Sequence, residues 1–475
     1  MPYRWRAAVL VALWLFSTLS SMIGVPILLP AISQEFGASV AATAWVALAY
    51  YLAMASAFVP ASHFGDVLGH KRVALWGSYL EVATMVVIVA VPSLAAIVVF
   101  RFVQGVVHSL SVPNFNAFAI SSFSPQDRGK ALGFISAMTS SGWLVVPLAM
   151  GAVTDFAGWR WAFLGGGAIE LVVTVVAQRV LAQPETQTRQ RPSLKVFDLP
   201  GAALLMLTVV PFVIGIQMTR GANAALAWPL IGVAVVLGVL FVLYERNLEH
   251  ATLPVRMFRR ASFVVPSLYN LTFNFANGVS VYLVPVFLIQ GLGWSATYAA
   301  TVVMVQSAGR PVASVAGGYL SDRIGTQPVI RGGLVFLLVA ILGLGLAGSS
   351  GSLPGLIPFM LLFGFAHNVV TISNQKQMYG VVPKGQLAMA PGIMGLGRHV
   401  GQGVGIGIAA AVFSSMLSST VAGADAAGAS TAFRTVMLLT AIVFVAGSLG
   451  AWFGPTVWGT VQARRKGAEV REPVD

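Results

Sequence analysis

The sequence predicts an all-α membrane protein with fourteen transmembrane helices, and three observations carry that expectation. The chain of 475 residues is 57% hydrophobic and 9% charged, with a mean hydropathy of +0.83. A water-soluble domain of this size needs far more charge to cover its surface. Fourteen apolar runs reach the length of about 18 residues or more that crosses a hydrocarbon core as a helix. Two short segments, Ser62–Lys71 (SHFGDVLGHK) and Gly318–Gln327 (GYLSDRIGTQ), look like copies of one corner between apolar runs, with Asp66 and Asp322 lying 256 residues apart. A corner that recurs at about half the chain length argues for an internally duplicated bundle.

The first run, 7–30, is too long for a signal-peptide core and no cleavage site follows it, so it is expected in the mature protein. Runs 41–60 and 73–92 flank the first corner, and 95–120, 130–153 and 161–182 complete a six-helix half over 1–182. The polar stretch 183–198 separates this half from the rest and reads as a cytoplasmic linker. Two runs follow, 199–219 and 225–244, whose interiors are nearly free of polar residues. The second corner falls between the tenth and eleventh runs, whereas two plain six-helix halves would put it between the eighth and ninth. These two runs are therefore the natural insertion. Runs 262–289, 297–320, 328–348, 355–375, 388–417 and 432–454 form the second half, 245–454, and 455–475 is expected as a cytoplasmic tail. The plan is six plus two plus six.

Charge sets the orientation. Of the 28 Lys and Arg, 22 fall in alternate loops and at the two termini, which places both termini in the cytoplasm. The net charge of +13 is thus a matter of topology, and no nucleic-acid partner is expected. There is no cysteine, so thiolate metal sites and disulfides are excluded. Neither a G-x-x-x-x-G-K-[ST] loop nor an H-E-x-x-H motif occurs, which leaves no motif for ATP hydrolysis, metal or cofactor. No nucleophile–base constellation suggests an enzyme. Active movement of a solute would have to draw on an ion gradient.

Several motifs give the chain a resemblance. The second corner carries Gly318, Asp322, Arg323 and Gly325, and the first is a degenerate copy with Ser62, Asp66, Val67 and Gly69. The fourth run has Arg101, Gln104 and Gly105; the fifth has Gly142, Pro147 and Gly151; Trp159-Arg160-Trp161-Ala162-Phe163 precedes the sixth, and Leu253–Phe263 precedes the ninth. Over nearly its whole length the chain resembles the fourteen-helix drug:proton antiporter branch of the major facilitator superfamily. The resemblance implies a secondary transporter working by alternating access, with Asp66, Gly69, Asp322, Arg323 and Gly325 in a cytoplasmic gate. It implies a gating role for Gly142, Pro147 and Gly151, which match that branch's fifth-helix motif in part. It also implies that helices 1, 4, 9 and 12 line a central cavity and that Arg101 takes part in proton coupling.

Charged and amide side chains in the hydrocarbon layer are the candidates for chemistry, because each is costly there and faces a partner or a cavity. Glu81 lies about 12 Å from the cytoplasmic end of its helix, and Glu170 lies a similar depth from the other side. Each is a candidate proton-accepting carboxylate, or else an ion-pair or hydrogen-bond partner between helices. Arg101, Gln104, His108 and Ser111 share one helical face. Asn270, Asn274 and Asn277 form a second stripe, and His367, Thr371 and Asn374 a third. Together with Ser21, Asn114 and Arg310, which lies about 20 Å into its helix, the residues His108, Asn270, Asn274, Asn277, His367 and Asn374 are the candidate substrate contacts. Bridging between helices is the alternative for the amides. Gly397, Gly401 and Gly405 recur every four residues and read as a close-packing face.

One departure from the branch matters. It usually carries an Asp in helix 1, where this chain has Ser21. The cavity candidates then hold Arg101, Arg310, Arg398, His108 and His367 without a carboxylate, a lining that favours neutral or anionic solutes over lipophilic cations. The expectation is a monomeric, multi-pass inner-membrane transporter in the lipid bilayer that exports a small organic molecule in exchange for protons. Uptake or facilitated transport of an anionic or neutral metabolite is the alternative.

Overall fold

Inside a bilayer the backbone has no water to bond, so each apolar run must close its own N–H and C=O groups in a helix. The protein is described here by a computed structural model covering residues 3–121, 128–181, 199–218, 224–246, 248, 257–258, 260–348, 353–381, 390–418 and 426–469. Among the described residues no strand occurs. A first group comprises α1 (Tyr3–Met22), α2 (Val25–Phe36), α3 (Val40–Leu68), α4 (His70–Ala90), α5 (Leu94–Ser121), α6 (Arg128–Ala157) and α7 (Trp159–Val180). Two helices follow, α8 (Leu199–Met218) and α9 (Ala224–Glu245). The last group comprises α10 (Ala261–Val286) with a π-helical turn at Phe287–Gly291, then α11 (Ala296–Ala308), α12 (Arg310–Arg323), α13 (Thr326–Gly348), α14 (Leu353–Val381), α15 (Ala390–Ser418) and α16 (Ala426–Glu469).

Two of the expected helices are broken. α1 and α2 form one rod interrupted at Ile23–Gly24, with a proline in the first turn of α2, and α11 and α12 form another interrupted at Gly309, with a proline in the first turn of α12. Counted as rods, the helices among the described residues number fourteen, and eleven spans among those residues are long and apolar enough to cross a membrane. The interrupted α11–α12 rod falls outside those eleven because its pieces are only 13 and 14 residues long.

The duplication is written into the backbone at more points than the two corners. Gly37 and Gly293 both take positive φ (57° and 71°), Ser39 and Ser295 both cap the next helix through their side chains, and Gly69 and Gly325 both turn at positive φ (91° and 87°). Each pair is separated by 256 residues. The corners are tighter than the sequence suggested. α3 continues through Asp66 to Leu68 and α12 through Asp322 to Arg323, so both aspartates lie in a last helical turn. A residue with a Cβ would be strained at Gly69 or Gly325, which is why glycine makes each turn.

Packing repeats as well. α3–α5, α4–α5, α4–α7 and α1–α6 in the first group correspond to α11/α12–α14, α13–α14, α13–α16 and α10–α15 in the last. The two groups meet mainly where α3 crosses α15 and where α6 crosses α11, which are equivalent crossings under the same correspondence. α8 and α9 pack on one another, with α8 also touching α3 and α15. Only 17% of the apolar window of α9 is buried against 94% for that of α10, so α9 is peripheral and α10 central. Outward-facing Trp228, Val236, Val312 and Val315 suit a lipid environment. The expected linker 183–198 lies outside the described residues. Where a tail was expected from 455, α16 continues to Glu469.

Candidate functional site

At the end of the bundle away from the Gly69 and Gly325 corners, α6 is locked to α11. A Cβ at Gly151 would stand 2.7 Å from the Ala296 carbonyl oxygen and 2.9 Å from the Ala300 Cβ, so only glycine allows this approach. Four residues on, beyond the apolar run, the Asp155 carboxylate accepts the backbone N–H groups of Ala296 (3.0 Å) and Thr297 (2.7 Å). It thereby caps the N-terminus of a helix in the opposite group. Burial alone would raise the Asp155 carboxyl, but the bonds from Thr297, Ala296 and Ser295 outweigh it and hold the group below its usual range. Gly142, one face further along α6, packs instead on Leu19 and Phe16 of α1. Pro147 lies within α6 between these two glycines and is buried.

Deeper between the groups, the Arg310 guanidinium at the start of α12 lies over the Trp143 ring of α6, 3.9 Å from its centroid. Arg310 is only 7% exposed, its Nε has no protein partner, and among the described residues no salt bridge reaches Arg310 or Arg398. Sequence explains this: between residues 250 and 424 the chain has one acidic residue, Asp322. That carboxylate is paired to Lys376 within its own group. His367 on α14 lies within electrostatic reach of Arg310 and Arg398, sits edge-on to Phe273, and has neither ring nitrogen bonded. Asn277 on α10, Asn374 on α14 and Gln402 on α15 are buried with side-chain oxygens lacking a protein donor. Buried polar atoms are normally paired, so this group has bonding capacity to offer a solute or water.

A second, self-contained network occupies the first group. The Arg101 guanidinium donates to the Val46 carbonyl (2.9 Å), the Ser21 carbonyl (2.9 Å) and Gln104 Oε1 (2.6 Å), and Gln104 in turn donates to Ser21 Oγ (3.1 Å). Arg101 also lies over the Tyr50 ring at 4.2 Å, and Tyr50 stands 5.4 Å from the ring of His108. The Nδ1 of His108 is 2.9 Å from both carboxylate oxygens of Glu81, and Glu170 on α7 interacts with the Glu81 carboxylate. Arg101, Glu81 and Glu170 are fully buried and His108 is 3% exposed. The structure therefore gathers Ser21, Arg101, Glu81 and Glu170 from four helices into one cluster. It turns His108 toward Glu81, where the sequence had placed it among the substrate contacts.

The remaining expected residues are occupied locally. Asn114 ties three helices together: its Nδ2 donates to the Ala61 carbonyl and to Leu110 within α5, and its Oδ1 meets His70 Nδ1 at 2.8 Å. Asn270 donates to the Met394 carbonyl, and Asn274 donates back to Asn270. Arg323 lies over Tyr319. The side chain of Asp66 lies outside what is described. Gly397, Gly401 and Gly405 of α15 do press against α10. Trp143, Tyr50 and Asp155 carry much of this geometry and were missed in the sequence. The two aromatics sit in apolar runs where aromatics are ordinary filling, and Asp155 lies just past the fifth run among residues with no motif. Glu35 was missed too: it binds Arg160 through both carboxylate oxygens and accepts from Trp159 Nε1 at 2.8 Å.

A family model described as Major Facilitator Superfamily matches residues 9–406 and 267–469. The riboflavin transporter RibZ of Clostridioides difficile is 22% identical over 385 residues, covering 81% of this chain and 82% of that protein. A probable actinorhodin transporter of Streptomyces coelicolor is 30% identical over 328 residues, covering 66% of this chain and 55% of that protein. Among solved structures, a bacterial homologue of the human lysosomal transporter Spinster, inward-facing and unoccupied, superposes with a TM-score of 0.70 at 15% identity, over 97% of this chain and 98% of that one.

Proposed function

The chain belongs to the major facilitator superfamily, and from that premise we propose that it is a proton-coupled exporter of a small neutral or anionic organic molecule, of the fourteen-helix antiporter type. The observation that carries the charge preference is the buried Arg310 stacked on Trp143, without an acidic partner among the described residues and near unbonded His367. A flat anionic or neutral solute can take the guanidinium's unbonded Nε–H and lie against the indole, whereas a lipophilic cation would meet positive charge in a low-dielectric setting. The relatives named for riboflavin and actinorhodin transport favour an organic cargo.

The repeated packing of α1–α7 and α10–α16, with α8 and α9 attached at the α3–α15 crossing, supports the six-plus-two-plus-six plan. The distribution of Lys and Arg supports cytoplasmic termini in a plasma membrane. On that orientation the Asp155 cap closes the outer end, and the two groups rock as a monomer about a midplane site. The test is proton discharge from acid-loaded inside-out vesicles. Riboflavin and its anionic 5′-phosphate should discharge the gradient and ethidium should not. Discharge by ethidium alone would refute the charge preference, and equal discharge in vesicles lacking the protein would refute transport.

A further inference from the structure

We propose that Glu81, His108 and Glu170 form the site that holds the transported proton, buried inside the N-terminal group and separate from the substrate site. This rests on the proton-coupled reading above and deepens it. Helix 1 has Ser21 where a carboxylate could have served, so the coupling group must lie elsewhere in the chain. Glu81 and Glu170 are both 0% exposed and come from α4 and α7. Both oxygens of Glu170 lack a protein donor although the group faces Glu81, because two carboxylates are acceptors only and cannot bond each other without a proton between them. Two ionised carboxylates side by side in a dry interior repel strongly, and a shared proton removes that cost.

The exchange moves one proton. Loading forms an O–H bond on Glu170, donated to Glu81, while the imidazole of His108 stays 2.9 Å from the Glu81 oxygens. Unloading breaks that O–H bond and leaves two carboxylates facing His108 directly and Arg101 beyond Tyr50. The titratable and charged groups facing the pair are Tyr50 on α3 and Arg101 and His108 on α5, and α1 contributes only the uncharged Ser21. From His108 the rings of Tyr50, Tyr51 and His399 follow at centroid spacings of 5.4, 5.9 and 6.3 Å. His399 belongs to α15, so this file of titratable rings leads from the buried pair to the α3–α15 crossing between the two groups. A change in that crossing would alter the surroundings of these rings.

The test uses purified full-length protein in lipid and infrared difference spectroscopy, which needs no substrate. Exposed carboxyl groups are ionised at neutral pH, with ordinary values of about 4. A protonated-carboxyl C=O band persisting at neutral pH is therefore expected in wild type, lost in Glu170→Gln and in Glu81→Gln, and displaced in His108→Gln. An unchanged band in the Glu81→Gln/Glu170→Gln double variant, or no such band in folded wild type, would overturn the proposal. Gradient-driven movement of riboflavin separates this from the broader reading. If wild type shows the band but a pH gradient drives no riboflavin, riboflavin 5′-phosphate or ethidium, the coupling fails while the proton site stands. If wild type is driven and Glu170→Gln is driven equally, the proton site fails while the coupling stands.

Discussion

Replacing Arg310 by Met separates binding from folding, because the two should respond in opposite directions. In wild type the guanidinium is buried, stacks on Trp143 at 3.9 Å and leaves Nε unbonded. A charge-assisted hydrogen bond to a bound solute is worth about 1.5–3 kcal/mol, and at 1.4 kcal/mol per decade its loss weakens affinity roughly 10- to 150-fold. Arg310→Lys keeps the charge but loses the planar fork of donors, so its affinity should fall by less than that of Arg310→Met. Stability should move the other way. A buried charge without a counter-ion is costly, and an apolar side chain of similar length removes that cost. Arg310→Met is thus expected to unfold at the same or a higher temperature than wild type while anionic flavin transport collapses. The assay pairs thermal unfolding in detergent with riboflavin 5′-phosphate flux in vesicles at several concentrations. Wild-type flux in Arg310→Met would refute a substrate role, and a marked fall in its unfolding temperature would show that Arg310 braces the fold instead.

Three further outcomes test the gate and the charge preference. Gly151→Val should abolish flux while the protein still inserts, since its side chain would collide with Ala296 and Ala300 at the α6–α11 crossing, a clash of about 1–3 kcal/mol; normal flux would show the crossing to be loose. Asp155→Ala should weaken the cap on α11 by about 1 kcal/mol and expose the outer end, read by labelling of a single cysteine placed in this cysteine-free chain. Because the Asp155 carboxyl is held below its usual range, the wild-type cap should persist at and above neutral pH and be lost as pH falls through that lowered value; labelling independent of both pH and the mutation would remove the latch. Ser21→Asp restores a carboxylate beside Arg101 and Gln104 and should make ethidium discharge a proton gradient; if ethidium stays inert, charge in helix 1 does not decide selectivity here.

Most of the fold was legible because membrane helices are set by length and apolarity, which a linear reading measures directly. The duplication was legible at Asp66 and Asp322 because a corner needs glycine and small polar residues at fixed spacing. Its fuller signature, Gly37 with Gly293 and Ser39 with Ser295, was overlooked because single glycines and serines are too common to stand out without backbone angles. The sites were harder. Helical periodicity put Arg101, Gln104 and His108 on one face of α5, but which neighbour that face meets is a tertiary fact. Glu81, 27 residues earlier, turned out to claim His108. Likewise Arg310 was visible as a costly charge, while Trp143, 167 residues away, was one apolar residue among many.

Coupling between two ligands needs a shared element whose position both of them bias. The α3–α15 crossing meets that requirement from both sides. The proton pair reaches it through Tyr50 and Tyr51 on α3, and the cationic site reaches it through Arg398, the residue before His399 on α15. The surfaces in contact are small and smooth: Gly395 lies against Phe58 so closely that a Cβ would stand 2.6 Å from its ring, while Gly403 faces Tyr51 and Gly407 faces Leu48. A displacement of α15 along α3 moves these glycines past Phe58, Tyr51 and Leu48. It also changes the surroundings of Tyr51 and His399 at once. On the reading proposed above, a solute at Arg310 and Arg398 and a proton at Glu170 would both act on this one crossing, and either ligand would then alter the other's access without direct contact between them.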